Sequence, residues 1–346
     1  MNVLVSGGAG FIGSHVCVQF LMLGYKVIVL DNLCNSQISA LHGVSKITNI
    51  DLEMEFQKQS QFVFYKGDIR NLEDLEAIFS NQRIDCVIHL AGLKSVESSV
   101  KNPHEYFTNN IGGTKNLINT MIKFNCKSII FSSSATLYGN SNMVPFNEDS
   151  NIAPTNPYGQ SKSLIELFLK KIFQSDKSWR IAILRFFNPI GAHQSGTIGE
   201  NPNETPNNLM PYILSVANKD LKALKIYGNN YNTHDGTGIR DYIHVMDIAD
   251  ANIKAFNVLM KKSQIFTVNL GTGIGYSVLD VVKTFEKVSG IKINFQIVPR
   301  REGDVAISYS DPSYAKEFFG WKAKYNLEEM CYDSWNFILK NKNKFD

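Results

Sequence analysis

The sequence predicts an α/β fold, a doubly wound parallel sheet joined to a smaller mixed α/β domain. Three observations predict it. Through the first half, short β-rich runs alternate with longer helical patterns, which is how the βαβ units of a parallel sheet read. A glycine-rich turn, Ser6-Gly7-Gly8-Ala9-Gly10-Phe11-Ile12-Gly13, separates the first such run from the first helical pattern. After about residue 189 the alternation stops, and 191–208 is rich in Gly, Pro, Asn and Ser with neither period. A loop that long inside a compact protein is usually functional.

In chain order, Val3-Leu4-Val5 is a short apolar strand, and Ser14–Gly24 carries apolar residues at helical spacing. Val27–Leu30 is a second strand, ending on Asp31, and Phe62–Tyr65 a third, ending before Asp68. Residues 44–61 are polar and read as a surface excursion between them. Cys86–Leu90 is continuous and apolar, as strands buried on both faces tend to be. Ser128–Ser132 and Ile181–Leu184 complete six strands, with helices expected around Leu72–Phe79, Gly113–Phe124 and Tyr158–Phe173. Helical patterns return at Leu209–Asn218, Val245–Met260 and Val278–Gly290, with short strands at Thr267–Leu270 and Asn294–Val298. The expected division is 1–189 and 190–346, with some later elements free to return to the first sheet.

Composition narrows the class. The 346 residues exceed two average domains of roughly 150. A hydrophobic share of 44% with 19% charged residues excludes a disordered chain. A net charge of +3 argues against a dedicated nucleic-acid surface. Five cysteines without a CxxC pair fit a reducing cytosol better than a disulfide scaffold. No apolar run approaches the roughly 18 residues of a membrane span, and a strand beginning at the second residue leaves no room for a signal peptide. A cytoplasmic protein is expected.

The glycine turn lies between a strand and a helix, with an acid closing the next strand. Gly7 and Gly10 let the backbone approach a pyrophosphate, and Gly13 lets the helix pack on the sheet with its N-terminus toward the phosphates. Asp31, 18 residues after Gly13, can accept from an adenosine ribose and would repel a 2′-phosphate, so NAD is favoured over NADP.

Tyr158-Gly-Gln-Ser-Lys162 is the second signal. Asn156 suits an N-cap and Pro157 the first helical position, which sets Tyr158 and Lys162 one turn apart on one face. An ammonium beside a phenol, near a cationic nicotinamide, favours the phenolate and makes Tyr158 a credible base. Alone, such a pair is mostly structural. Ser132-Ser133-Ser134, after the apolar run ending at Phe131, falls at the carboxyl edge where open α/β sheets bind ligands. His15, His89 and His244 sit inside element patterns, where packing or capping is expected, and no histidine pair has zinc-ligand spacing. No metal is expected.

Serine, phenol, lysine and nicotinamide turn together resemble the short-chain dehydrogenase/reductase family and its Rossmann sheet. Nearly the whole chain is similar to the UDP-glucose 4-epimerases of its extended branch. The matching segments are GGAGFIGSH (7–15), LDNLCNS (30–36), GDIRN (67–71), HLAGLKSV (89–96), FSSSATLYG (131–139), RFFNPIGAH (185–193), PNNLMPYI (206–213), DGTGIRDYIHVMDIAD (235–250), NLGTG (269–273) and PRREGD (299–304). The resemblance implies NAD held by Phe11, Ile12, Asp31, Asn32, Asn35, Ser36, Asp68, Ile69, Leu90, Ala91, Lys94, Asn109, Lys162 and Phe187. It implies a UDP-sugar held by Asn188, Asn208, Leu209, Tyr227, Arg240, Arg301 and Asp304. Guanidiniums suit a diphosphate, an aromatic face suits uracil and a carboxylate suits ribose hydroxyls.

In the chemistry so implied, Tyr158 takes the proton of the sugar 4-hydroxyl, Ser134 steers it and Lys162 holds the nicotinamide ribose. The 4-keto sugar turns about its diphosphate and is reduced on its other face. Such a reaction needs tight binding at UDP and loose binding at the sugar. A 4,6-dehydratase of the same branch would need an Asp-Glu pair directly after the serine, where Ala135 and Thr136 stand. A non-catalytic NAD-binding regulator is the alternative from another class. The family's usual homodimer is expected. In the family a bulky Tyr four residues after the Asp of PRREGD restricts the enzyme to UDP-glucose and UDP-galactose. Here Ser308 holds that position and Tyr309 follows it, which implies that N-acetylated UDP-hexoses are admitted too.

Overall fold

The computed structural model describes residues 1–54, 59–140, 144–202, 206, 208–301 and 304–345, the last four of these in backbone only. The first unit runs β1 (Asn2–Ser6), α1 (Phe11–Met22), β2 (Lys26–Asp31), α2 (Ile38–Thr48), β3 (Leu52–Met54), β4 (Phe62–Lys66), α3 (Leu72–Asn81) and β5 (Cys86–His89). It continues through α4 (Val96–Lys101), α5 (Pro103–Tyr106), a π-helical turn (Phe107–Gly112), α6 (Gly113–Lys123), β6 (Ser128–Ser134), α7 (Pro157–Ser175) and β7 (Arg180–Phe186). Then come β8 (Asn188–Ile190), α8 (Leu209–Ala217), β9 (Leu224–Tyr227), β10 (Ile239–His244), α9 (Val245–Lys261) and β11 (Ile265–Leu270). The chain closes with β12 (Gly275–Ser277), α10 (Val278–Ser289), β13 (Phe295–Val298), β14 (Ile307–Ser308), α11 (Ser313–Phe319) and α12 (Leu327–Phe345).

Eight strands form one sheet in the order β11-β7-β6-β5-β1-β2-β4-β3, and every pairing in it is parallel. Alternate side chains of β1 enter different cores, as the strand period requires. Val3 and Val5 pack with α1 and α9, and Leu4 with α3, α6 and α7. Covering both faces explains why these strands read as unbroken apolar runs.

Residues 44–61 depart from expectation. They are not only a surface excursion: α2 reaches Thr48, and β3 pairs with β4 to form the edge of the sheet. Leu41 and Val44 sit in the core although polar neighbours hide the period. At the other edge, β11 pairs with β7, so residues beyond 190 supply the eighth strand and, through α9, part of its helical cover.

A third core, with Met210, Ile213, Phe285 and Trp335, lies among α8, α10 and α12. Beside it, β10 pairs with β12 antiparallel and with β8 and β14 parallel, and β9 pairs with β13. Among the described residues, no helix is long and apolar enough to cross a membrane.

Candidate active site at the carboxyl edge of the sheet

Because the large sheet is parallel throughout, the chain leaves β1, β2, β4, β5, β6 and β7 at one edge. Gly7, Asp31, Asp68, Leu90, Ala91, Ser134 and Phe187 therefore meet there although they span 180 residues.

Gly7 turns at φ +76°, and a Cβ on it would lie 2.7 Å from the Ala91 nitrogen. A Cβ on Gly13 would lie 2.1 Å from the Gly7 carbonyl oxygen, so Gly13 seats α1 on the turn. Gly10 meets only that same oxygen, at 3.3 Å, which leaves its outer side open. Gly10 is also the N-cap of α1, with no side-chain cap and no acid in the first turn. Phe11 and Ile12 follow in that turn, so free backbone N–H groups and the positive helix end face the opening. The cradle fits a dinucleotide pyrophosphate, and a methyl group would fill its close approaches.

Asp31 is 8% exposed. It accepts from the Ala9 nitrogen at 3.0 Å, the Leu33 nitrogen at 2.9 Å and the Ser36 hydroxyl at 2.8 Å. One carboxylate thus joins the glycine turn to the 32–36 loop, whose Asn35 is exposed. Asn32 donates to Asp68 at 2.8 Å. Arg70 chelates Asp68 and holds its carboxyl down at about 2. Ile69 is buried against Gly113. Leu90 and Ala91 are partly buried. Phe187 lies in a small apolar cluster with Leu137, Tyr138 and Phe146, so its ring is packed rather than open.

Asn109 is buried in the π-helical turn and donates to Asn110 at 3.1 Å. Asn110, which sequence reasoning passed over, accepts from the Leu93 nitrogen at 2.8 Å and donates to Ser161 at 3.1 Å. It ties the loop after β5 to α7. Two adjacent asparagines inside a helical pattern were the available signal, since π-turns often mark functional sites. In that loop Lys94 pairs with Glu200, 2.7 Å away.

The expected cap of α7 is present: Asn156 accepts from the Gly159 nitrogen at 2.9 Å, with Pro157 at the first helical position. Ser132 to Ser134 are the last residues of β6 rather than residues that follow it. Ser134 stands close enough to Tyr158 to favour its ionised form, and its hydroxyl donates to the Thr136 hydroxyl at 3.0 Å. Lys162 donates to the Ser132 carbonyl oxygen at 2.8 Å, with its ammonium 5.9 Å from the Tyr158 ring centroid. Burial pushes the Lys162 ammonium down to about 8, against the opposing charge of Glu166. Burial raises the Tyr158 phenol, and Ser134 only partly offsets it. The depression of Tyr158 expected from its lysine is thus not produced by the protein alone, because desolvation of the phenol outweighs what its neighbours contribute.

Below the site, Glu166 accepts from Ser133 at 2.6 Å and from Arg185 at 2.9 and 2.7 Å. Arg185 is 1% exposed and reaches on to the Tyr138 hydroxyl. Glu166 thus ties α7 to β7 through Arg185 and to β6 through Ser133, one residue from Ser134 and one turn from Lys162.

Across the cleft, Arg240 of β10 lies in register with Ser308 of β14. Asn188 of β8 donates to the Asp241 carbonyl oxygen at 3.0 Å. The Asp241 carboxylate is fully buried. It accepts five bonds, from Thr272, Gly273 and Ser310, and so seats β14 beside β10. Arg240 and Asp304 stand 3.8 Å apart. Arg301 stacks on Tyr227 at 3.8 Å, so a guanidinium covers one face of the ring expected to meet uracil. Asn208 is the exposed N-cap of α8 without a side-chain cap bond, and Leu209 begins that helix. The Tyr309 ring lies over Gly275. Asn207, Glu302 and Gly303 of the matched segments lie outside the described residues.

His15 and His89 are fully packed, both held near 3 by burial. His244 caps α9 by accepting from the Met246 nitrogen. Among the described residues, one group with metal-ligand spacing occurs: His234, Asp235 and Asp280, within 4.8 Å of one another. Its carboxylates already accept from Ser277 and Thr237.

The family model described as GDP-mannose 4,6 dehydratase matches residues 4–334. A bifunctional UDP-glucose 4-epimerase and UDP-xylose 4-epimerase of Arabidopsis thaliana is 50% identical over 342 residues, 98% of this chain and 96% of that protein. The UDP-glucose 4-epimerase of Bacillus subtilis is 48% identical over 345 residues, 100% of this chain and 99% of that one. A UDP-glucose 4-epimerase from Bifidobacterium longum, solved with NAD+ and UDP, superposes with a TM-score of 0.94 at 45% identity, covering 99% of each chain.

Proposed function

This chain belongs to the UDP-glucose 4-epimerase family, and we infer that it interconverts UDP-glucose and UDP-galactose with a resident NAD. One observation carries the reading. Tyr158 and Ser134 stand together at the carboxyl edge of the sheet, while Lys162, one turn on, is anchored to the same strand.

NAD, when bound, supplies reversible oxidation at the sugar C4. The glycine turn and the open end of α1 would hold its pyrophosphate, and Asp31 its adenosine ribose. The chain's own groups manage the proton. Tyr158 accepts the hydrogen of the 4-hydroxyl through its phenol oxygen, and Ser134 holds that oxygen and the sugar oxygen together. Lys162 contributes positive charge and donors near the ribose. Each proton moves over one hydrogen bond, a distance suited to general-base catalysis. Arg240, Arg301, Asn188, Asn208, Leu209, Tyr227 and Asp304 retain the nucleotide, so the hexose is free to turn.

The dehydratase reading is weaker. Ala135 has no acid or base, and the Thr136 hydroxyl is engaged with Ser134 at 3.0 Å. Ser308, beside Arg240, supports acceptance of UDP-GlcNAc and UDP-GalNAc as well, because Tyr309 turns its ring to Gly275.

We also propose a homodimer formed through α4 and α7, which expose Val100, Leu164 and Leu167. Five cysteines, none in a disulfide and four of them buried, support a cytoplasmic setting. The proposed division remains an NAD-binding unit over 1–189 and a UDP-sugar-binding unit over 190–346. The test is interconversion of UDP-glucose and UDP-galactose by purified protein without added NAD. No interconversion by protein that retains NAD would refute the reading.

A further inference from the structure

The 191–200 segment has no helix or strand, yet it is fastened on two sides. Along α12, Ser334 accepts from the Gly191 nitrogen at 3.1 Å, and Asn336 donates to the Gln194 oxygen at 3.1 Å. Lys340 donates to the Ser195 oxygen and Asn341 to the Gly196 oxygen, each at 2.9 Å. Toward the first unit, Ile198 is 1% exposed in the core built with α1 and α2, and a Cβ on Gly43 would lie 2.5 Å from its Cγ2. Two residues on, Glu200 pairs with Lys94 at 2.7 Å.

Lys94 ends a second fixed segment, the strap 90–94 that follows β5. Its Ala91 lies against the glycine turn and packs with the core of α3, α6 and α7, on the other face of the sheet from Ile198. Asn110 holds both main-chain groups of Leu93, at 2.8 and 3.0 Å. The Lys94–Glu200 pair therefore joins segments from opposite faces, and it can do so only around the carboxyl edge. The contacts close a ring: glycine turn, α1, Ile198, Glu200, Lys94, Ala91 and the turn again. With side chains 48% and 11% exposed, the pair is worth little to folding. The ammonium gives one of its three donors to Glu200.

We propose that Glu200 is a positioning residue for cofactor retention. By holding Lys94 it keeps the 90–94 strap and the 191–200 segment joined across the edge. A dinucleotide with its pyrophosphate at the start of α1 lies inside the ring and leaves when the pair parts, as a ligand leaves a closed lid. The proposal rests on the resident-NAD reading above and adds the element that keeps NAD resident.

The test loads wild type and Glu200→Gln with radiolabelled NAD and follows its release into excess unlabelled NAD. Glutamine keeps the shape and removes the charge. Release should be at least about threefold faster in the variant, the scale of one partly exposed ion pair. Raising KCl from about 0.02 M to about 0.5 M should shrink that ratio, because salt screens the pair in wild type. The thermal midpoints of the NAD-free proteins should agree within about 2 °C. Glu76→Gln, which breaks the exposed pair with Lys123 at 2.7 Å between α3 and α6, should release NAD as wild type does. A smaller change in Glu200→Gln overturns the proposal, as does a ratio that salt leaves unaltered. An equal rise in Glu76→Gln overturns it too, and a lowered midpoint would assign Glu200 to packing and do the same. Failure of wild type to hold NAD at all overturns the resident-NAD reading itself and is distinguishable from these.

Discussion

Lys162 reaches past the phenol one turn before it and donates to the backbone of the neighbouring strand, 2.8 Å from the Ser132 carbonyl oxygen. The lysine is therefore a tie between α7 and β6 as well as a charge in the site. Tyr158, whose ring centroid is 5.9 Å from that ammonium, is left protonated by burial in the free protein. Positive charge arriving with an oxidised nicotinamide is what can bring it down.

Tyr158→Phe keeps the bulk and removes the proton acceptor. Turnover of UDP-galactose should fall by at least about 10²-fold, the usual scale for losing a general base. UDP should bind as in wild type, because the proposed nucleotide contacts lie elsewhere, on β8, β9, β10, at the start of α8 and at Arg301 and Asp304. Turnover within a few-fold of wild type would remove Tyr158 from the mechanism.

The folded-state value of Lys162, about 8, lies below its ordinary 10.5. Below about pH 8 both folded and unfolded chains carry the proton, and the fold bears the cost of the buried ammonium. Between about 8 and 10.5 the folded chain loses the proton first, so stability rises with pH over that window. In urea unfolding of NAD-free protein, wild type should gain on Lys162→Met between pH 7 and pH 9.5. A difference that stays constant, or shrinks, contradicts this.

Two glycine substitutions separate packing from cofactor approach. Gly13→Ala drives a Cβ to 2.1 Å from the Gly7 carbonyl oxygen and should cost at least about 1–3 kcal/mol of stability. Gly10→Ala meets only one atom, at 3.3 Å, and should cost at most about 1 kcal/mol. It should nonetheless purify with much less NAD. Equal NAD content in Gly10→Ala and wild type would show that the open side of Gly10 is not the cofactor's path.

Ser308→Tyr adds bulk on the strand beside Arg240. Activity on UDP-GlcNAc should be abolished, with UDP-glucose turnover retained within a few-fold. Rates measured on both sugars decide it. Absence of UDP-GlcNAc activity in wild type would dismiss the gate and leave the epimerase reading in place.

Most of the large sheet was legible because its signals are local. An apolar strand, a glycine turn and a capped helix each occupy a few consecutive residues, and β1, β2, β5, β6 and α7 begin and end within three residues of their expected bounds. The edge strand β3 was not legible, since only β4 on one side makes it a strand. Asn110, Glu166, Arg185 and Asp241 were missed for a related reason. Each works through partners 17 to 69 residues away. As isolated letters, they resemble surface polar residues.

By itself the sequence determined the glycine turn, the acid closing β2, the Tyr158–Lys162 spacing and the serine at the end of β6. These are backbone geometry and helical period, which neighbours in the chain set. The tertiary structure decided which of them meet. Parallel pairing brings six strand ends to one edge, and β10 brings Asn188, Arg240 and Ser308 together from three separate segments. It also decided charge state, because burial, which no local motif encodes, raises Tyr158 and lowers Lys162.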